Sequence, residues 1–186
     1  MLKGTLTIRT TLMRLALCFF AAAFSTSAMG QDATQDPTLT GGCFGAGEVL
    51  FHCTFQGGQE AVDICLQGDV VLYRYGPVNG AAELLLARRV IGVDMNPWFW
   101  VGSAIREEIT LHNSVYSYLV SYSVEQNASE DAKLTGGLIV AEGDTELADL
   151  TCDPGSVGAS NFYPVYDVKE ASGQCYSREE FTWGPC

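Results

Sequence analysis

Two glycine-bearing turns, Gly57-Gly58 and Gly68-Asp69, cut residues 43–76 into alternating runs, and no other stretch constrains the fold as much. The runs are Glu48 to Phe55, Glu60 to Gln67 and Val70 to Tyr75. Gly-Gly and Gly-Asp tolerate the positive φ that two-residue hairpin loops require, so the stretch reads as a three-stranded antiparallel meander. Two-residue loops also fix its register. Cys53 faces Val62 and Phe51 faces Ile64, while Ile64 faces Tyr73 and Val62 faces Tyr75. Side chains alternate along a strand, so Phe51, Cys53, Phe55, Val62, Ile64, Tyr73 and Tyr75 share an apolar face directed at the core. The opposite face carries His52, Thr54, Asp63, Cys65, Leu72 and Arg74.

That register makes His52, Asp63 and Arg74 neighbours across three strands. A carboxylate between two cations is a favourable cross-strand arrangement. It reads either as a tuned His–Asp pair in a site or as a solvated outer-face ladder that pins the register. The ladder is the commoner use of surface charge, since exposed ion pairs are frequent and weak. No nearby serine or free thiol offers a nucleophile.

Residues 1–30 read as a secretory signal peptide. Lys3, Arg9 and Arg14 form the basic start, Leu15 to Phe24 the apolar run, and Ala28-Met29-Gly30 a small-residue cleavage site. The apolar run is too short to span a bilayer, and no stable membrane insertion is expected. Residues 31–42 (QDATQDPTLTGG) read as a flexible leader, and 43–186 as a single β-domain. The expected location is periplasmic or secreted. Signal removal leaves Cys43, Cys53, Cys65, Cys152, Cys175 and Cys186, an even number suited to an oxidising compartment. The expected pairs are Cys175–Cys186, neighbours at the C-terminus, then Cys53–Cys152 and Cys43–Cys65. The absence of Cys-x-x-Cys and of EF-hand ligand spacing gives no metal site, and no cofactor motif stands out.

Charge narrows the partners. The chain has 10 Lys and Arg against 22 Asp and Glu. Residues 1–30 hold three of the bases and none of the acids, so the remainder carries seven bases, 22 acids and a formal charge of −15. A nucleic-acid binder needs a basic footprint, so that class is excluded. The charge admits a basic protein partner, divalent cations, or nothing beyond solubility, which is the commonest reason for net charge.

The remaining chain alternates short β-runs with turns. Ala81 to Val90 reads as a strand, Ala104 to Leu111 and Val115 to Val124 as a hairpin, and Leu138 to Glu142 with Glu146 to Cys152 as another. Pro97 to Ser103 (PWFWVGS) is an aromatic run suited to a core or barrel plug, to a sugar-stacking platform or to a partner anchor. Tyr116, Tyr118, Val120 and Tyr122 share a face on which packing is the usual role for tyrosine. Phe162 to Cys186 reads as an irregular, cysteine-stapled tail. The fold class expected from this pattern is all-β, a single antiparallel barrel or sandwich of about eight strands.

Phe51-x-Cys53, Val62-x-Ile64-Cys65 and Leu72-Tyr73-Arg74-Tyr75-Gly76 resemble a family of small secreted bacterial proteins without an assigned function. The likeness covers most of residues 43–152 and implies an exported bacterial protein. A second, shorter likeness lies in Ser172-Gly173-Gln174-Cys175-Tyr176, which is similar to the Ser-Gly-x-x-Tyr motif of bacterial C-type lysozyme inhibitors. There the motif sits on a loop that enters the lysozyme cleft. Here it lies near the C-terminus with a cysteine inside it. The resulting expectation is a non-catalytic exported binding module, an inhibitor of a basic envelope-acting protein such as lysozyme. Its contact residues would be Ser172, Gly173, Tyr176, Phe181 and Trp183, flanked by Glu179 and Glu180. The alternatives are an envelope hydrolase using carboxylates such as Glu107, Glu108 or Asp63, and a structural or stress-protective envelope protein. Glycosidase chemistry would need two such carboxylates across a cleft.

Overall fold

The meander forms in the expected register. In the computed structural model, which describes residues 47–126 and 134–186, β1 (Glu48–Phe55), β2 (Glu60–Gln67) and β3 (Val70–Pro77) pair antiparallel. Phe51 lies opposite Ile64, His52 opposite Asp63 and Cys53 opposite Val62. Asp63 lies opposite Arg74, Ile64 opposite Tyr73 and Val62 opposite Tyr75. The first turn differs from the two-residue loop expected, because Gln56 to Gln59 all leave the strands. Gln56, Gly57 and Gly58 have φ of 55°, 71° and 83°, the region glycine enters freely. A loop longer by one residue on each side leaves the pairing of β1 and β2 unchanged. Asp153 fastens this turn from a distant strand end. Its carboxylate accepts from Gly57 N–H (3.0 Å), Gly58 N–H (2.8 Å) and the Thr54 hydroxyl (2.9 Å).

β4 (Leu84–Arg89) completes the run, and a short 3-10 turn, Val90–Gly92, leads into β5 (Asp94–Val101). β6 (Ala104–Asn113), β7 (Tyr116–Glu125), β8 (Leu134–Glu142) and β9 (Thr145–Thr151) follow as a second meander. The chain then returns to β1 through the two-residue β10 (Ala159–Ser160). The result is two five-stranded sheets, ordered β10-β1-β2-β3-β4 and β5-β6-β7-β8-β9. The choice between barrel and sandwich is thereby decided: the sheets are separate, unclosed layers of an all-β sandwich, with more strands than the eight expected.

Period-2 alternation explains the single core. Phe51, Cys53, Val62, Ile64 and Tyr73 from the first sheet meet Ile109, Leu111, Val120 and Leu138 from the second, each at most 1 % exposed. Phe51 stacks on Tyr122 (6.5 Å between ring centroids) and Tyr73 packs on Tyr118 (5.4 Å). The tyrosine stripe of β7 is therefore packing. Cys53–Cys152 joins β1 to the residue after β9, stapling one layer to the other. Cys175–Cys186 is also bonded, and so is Cys65. Cys43, the partner expected for Cys65, lies outside the described residues, as do the signal peptide and the leader.

The tail is not irregular. It forms α1 (Tyr163–Ala171) and a hairpin of β11 (Gln174–Ser177) and β12 (Thr182–Pro185). Pro164 in the first turn suits a helix start, where its missing N–H removes no bond. Phe162, fully buried, enters the core between Phe51 and Tyr122 at 6.0 and 5.3 Å. Val165 and Lys169 then face inward one turn apart. Among the described residues no helix is long and apolar enough to cross a membrane.

Candidate functional site

The outer-face ladder assembles, but it is not solvated as expected. Asp63 and Arg74 side chains keep only 9 % and 5 % of their surface, whereas His52 keeps 39 %. A carboxylate only accepts, so His52 Nδ1–H donates to Asp63 Oδ1 at 2.7 Å. Arg74 Nη1 lies 3.8 Å from Asp63 Oδ2. Arg74 Nη2 donates to the carbonyls of Pro77 (2.9 Å) and Gly80 (3.0 Å), so the loop after β3 closes over the guanidinium. Among the described residues no hydrogen bond links His52 to a hydroxyl or thiol. The ladder thus holds a His–Asp pair whose carboxylate is braced by the buried Arg74.

The Asp63 hydrogen bond holds the His52 imidazole above its ordinary range, against burial, which pulls the other way. A raised folded-state value stabilises the protein below the unfolded value of about 6.5, and that contribution fades as pH rises through the folded one. Replacement of His52 by Ala should therefore destabilise more at pH ~5.5 than at pH ~8.5, by under about 1 kcal/mol because the ring is part-exposed. Urea midpoints at the two pH values measure this. An equal loss at both would mean that the ring contributes by packing alone.

The carboxylates of the hydrolase alternative do not converge. Glu107 and Glu108 are successive strand residues and point to opposite faces of β6. Glu107 is 4 % exposed and accepts from Phe162 N–H at 3.2 Å. Burial pushes its carboxyl up from the usual range. Glu108 is held by Arg106 Nε (2.7 Å) and by Asn96 Nδ2 (3.4 Å). Asp63 belongs to the other sheet. Among the described residues no cluster of three His, Cys, Asp or Glu is placed to hold a metal ion.

The expected contact residues of the tail separate into two groups. Ser172 and Gly173 terminate α1: the Ser172 hydroxyl donates to Val168 O at 2.7 Å, and Gly173 takes φ 82°. Their chemistry is occupied by the helix end. Phe181, 58 % exposed, sits in the β11–β12 turn beside the exposed Glu179 and Glu180. Tyr176 and Trp183 are half-buried and face the sandwich. Trp183 Nε1–H donates to Met95 O on β5 (2.7 Å), and the Tyr176 hydroxyl lies 3.2 Å from Asn96 Oδ1.

These contacts build an aromatic shelf that the sequence did not disclose. Its rings run Trp98, Tyr163, Tyr166, Trp183 and Tyr176. Trp98 lies 5.2 Å from Tyr163 and 5.4 Å from Tyr166. Tyr163 and Tyr166 stack at 5.8 Å, Tyr166 meets Trp183 edge-on at 5.1 Å, and Trp183 meets Tyr176 at 5.3 Å. Trp98 and Tyr163 keep 37 % and 43 % of their surface, so the shelf ends at solvent. The kink that raises Trp98 is visible in the backbone: its φ is 45°, and the β5–β6 register shifts between Asn96 and Phe99. Asp167, Glu170, Glu179 and Glu180, all exposed, flank the shelf on α1 and the hairpin, with Arg178 as the basic exception. Comparison with protein-family models, with curated proteins and with solved structures gives no match for this chain.

Proposed function

We propose that the protein is an exported, non-catalytic binding module, periplasmic or secreted, that docks a basic envelope-acting protein on the aromatic shelf. The single observation that carries this reading is the run of five contacting rings ending in the exposed Trp98 and Tyr163. Interface energy concentrates in a few aromatic anchors held in place before binding. Here the anchors are held by the Cys175–Cys186 bridge and by the Trp183–Met95 hydrogen bond. The acidic side chains beside the shelf and the formal −15 of residues 31–186 supply attraction for a cationic partner, which speeds encounter rather than fixing identity. The bridges suit an oxidising compartment.

The test is a calorimetric titration with a basic lysozyme at about 0.05 M and about 0.3 M salt, where screening differs strongly. Wild type should bind, and more weakly at the higher salt. Trp98→Ala should lose at least about tenfold in affinity at either salt. Equal binding by Trp98→Ala would remove the shelf as the contact surface. Absence of binding by wild type at both salts would remove the lysozyme reading and favour a structural role in the envelope.

A further inference from the structure

We propose that the outward face of the second sheet holds a site for one neutral sugar residue of a saccharide chain, separate from the aromatic shelf. An open cavity of about 280 Å³ lies there; its polar lining is Arg106, Ser121, Ser123, Thr135, Asp149 and Thr151, and Ile139 and Leu150 add apolar wall that a sugar ring's C–H faces can cover. Its size is at the lower end for ligand pockets, which suits one ring rather than an extended ligand. The register makes it. Ser121, Gly137 and Thr151 lie side by side across β7, β8 and β9, and Arg106, Ser123 and Thr135 across β6, β7 and β8. The floor is low because Gly137 has no side chain: a Cβ there would lie 2.8 Å from Leu150 O.

One buried polar atom at this cavity, Arg106 Nε, lacks a directed hydrogen bond. Ser121 keeps 7 % of its surface, and its hydroxyl lies in the cavity wall. Arg106 Nε is buried and sits 2.7 Å from Glu108 Oε1, yet the angle is too bent for a directed hydrogen bond, so the contact is ionic. Buried polar groups ordinarily find partners, and a group that lacks one marks a place where a ligand can supply it. The guanidinium is also held in position. Tyr176 contacts Asn96, Asn96 donates to Glu108, and Glu108 pairs with Arg106, a chain running back to the disulfide-bonded hairpin.

The donor and acceptor balance selects the ligand class. Four hydroxyls both donate and accept, the guanidinium donates, and Asp149 accepts. Arg106 is neutralised by Glu108 while Asp149 is exposed, so an anion meets net negative charge. A hydrocarbon would strand the hydroxyls without partners. A single carboxylate beyond the ion pair is too few for a hard cation. A sugar ring carries adjacent hydroxyls that donate to Asp149 and accept from Arg106 and Ser121, and it satisfies all three.

The experiment is a titration of the full, 15N-labelled chain with maltotriose, mannotriose, galactotriose and chitotriose, each beside its monosaccharide. At least one trimer should give saturable amide shifts at Arg106, Ser121, Gly137 and Asp149. Asp149→Asn and Ser121→Val should each weaken that binding about tenfold, whereas Trp98→Ala should leave it unchanged. Similar affinity for monosaccharide and trimer is expected of a one-ring site, whereas a trimer that binds at least about tenfold tighter would overturn the single-ring part of the proposal. No saturable shift with any probe, shifts centred on Trp98 and Tyr163, or shifts indifferent to both cavity variants would overturn the site itself.

Discussion

Replacing Cys53 and Cys152 together by alanine is expected to lower the free energy of unfolding by about 4 kcal/mol. The bridge closes a loop of 99 residues, from β1 to the end of β9. That loop contains nearly all of both sheets, so cutting it frees the unfolded chain more than any local staple would. Cys175–Cys186 spans 11 residues, and the same chain-entropy argument gives it about 3 kcal/mol at most. Packing adds to the difference. Cys53 is fully buried and Cys152 is 7 % exposed. Gly136 makes room for the bridge: a Cβ there would stand 3.0 Å from Cys152 Sγ and 2.9 Å from the Phe51 ring. Losing the two sulfurs leaves space that nothing on β8 fills. The outer bridge, by contrast, sits on exposed ends of the hairpin. Guanidinium titrations of the two double variants make the comparison. A larger loss for Cys175/Cys186 than for Cys53/Cys152 would show that the hairpin, rather than the link between layers, limits stability.

The sandwich was legible where local rules act alone. Glycine turns and period-2 alternation placed Phe51, Ile64 and Tyr73 on one face, and the same register set His52 beside Asp63 and Asp63 beside Arg74. Burial of that ladder was not legible, because the cover comes from Pro77 and Gly80 in a loop without period. The aromatic shelf was legible only as pieces. Trp98 belonged to a run suited to a core or an anchor, Tyr163 and Tyr166 to a tail. What joins them is the docking of α1 against β5, a contact between residues more than sixty positions apart that no local pattern encodes. Ser172 and Gly173 show a different limit: a serine and a glycine at a helix end have local work, and a motif spacing does not distinguish that work from recognition.

α1 itself escaped notice because one of its two inward positions is a lysine, and that lysine sets the last prediction. Lys169 keeps 1 % of its surface. It lies over the Trp183 ring (4.9 Å from its centroid) and donates to Gln174 Oε1 at 3.3 Å. Asp94 on β5 favours the charged amine, but loss of water outweighs it and pulls the amine down to about 8. The unfolded chain therefore holds this proton more tightly than the folded one. Stability from this site is fully present above about pH 10.5 and is lost as pH falls through about 8. Lys169→Met keeps an unbranched, flexible side chain, one heavy atom shorter, and removes the ionisation. At pH 7 it is expected to raise stability by about 2 kcal/mol, less than the shift alone implies because the cation–π contact and the Gln174 bond go too. The comparison belongs between pH ~7 and ~9.5, since the buried phenols of Tyr73 and Tyr122, held above their ordinary range, act in the opposite direction above about pH 10. Wild type should gain stability relative to Lys169→Met across that window, so the two urea midpoints converge as pH rises. A variant that is less stable at pH 7, with a gap independent of pH, would show that the amine stays charged against Trp183 and that the cation–π contact holds α1 to the hairpin.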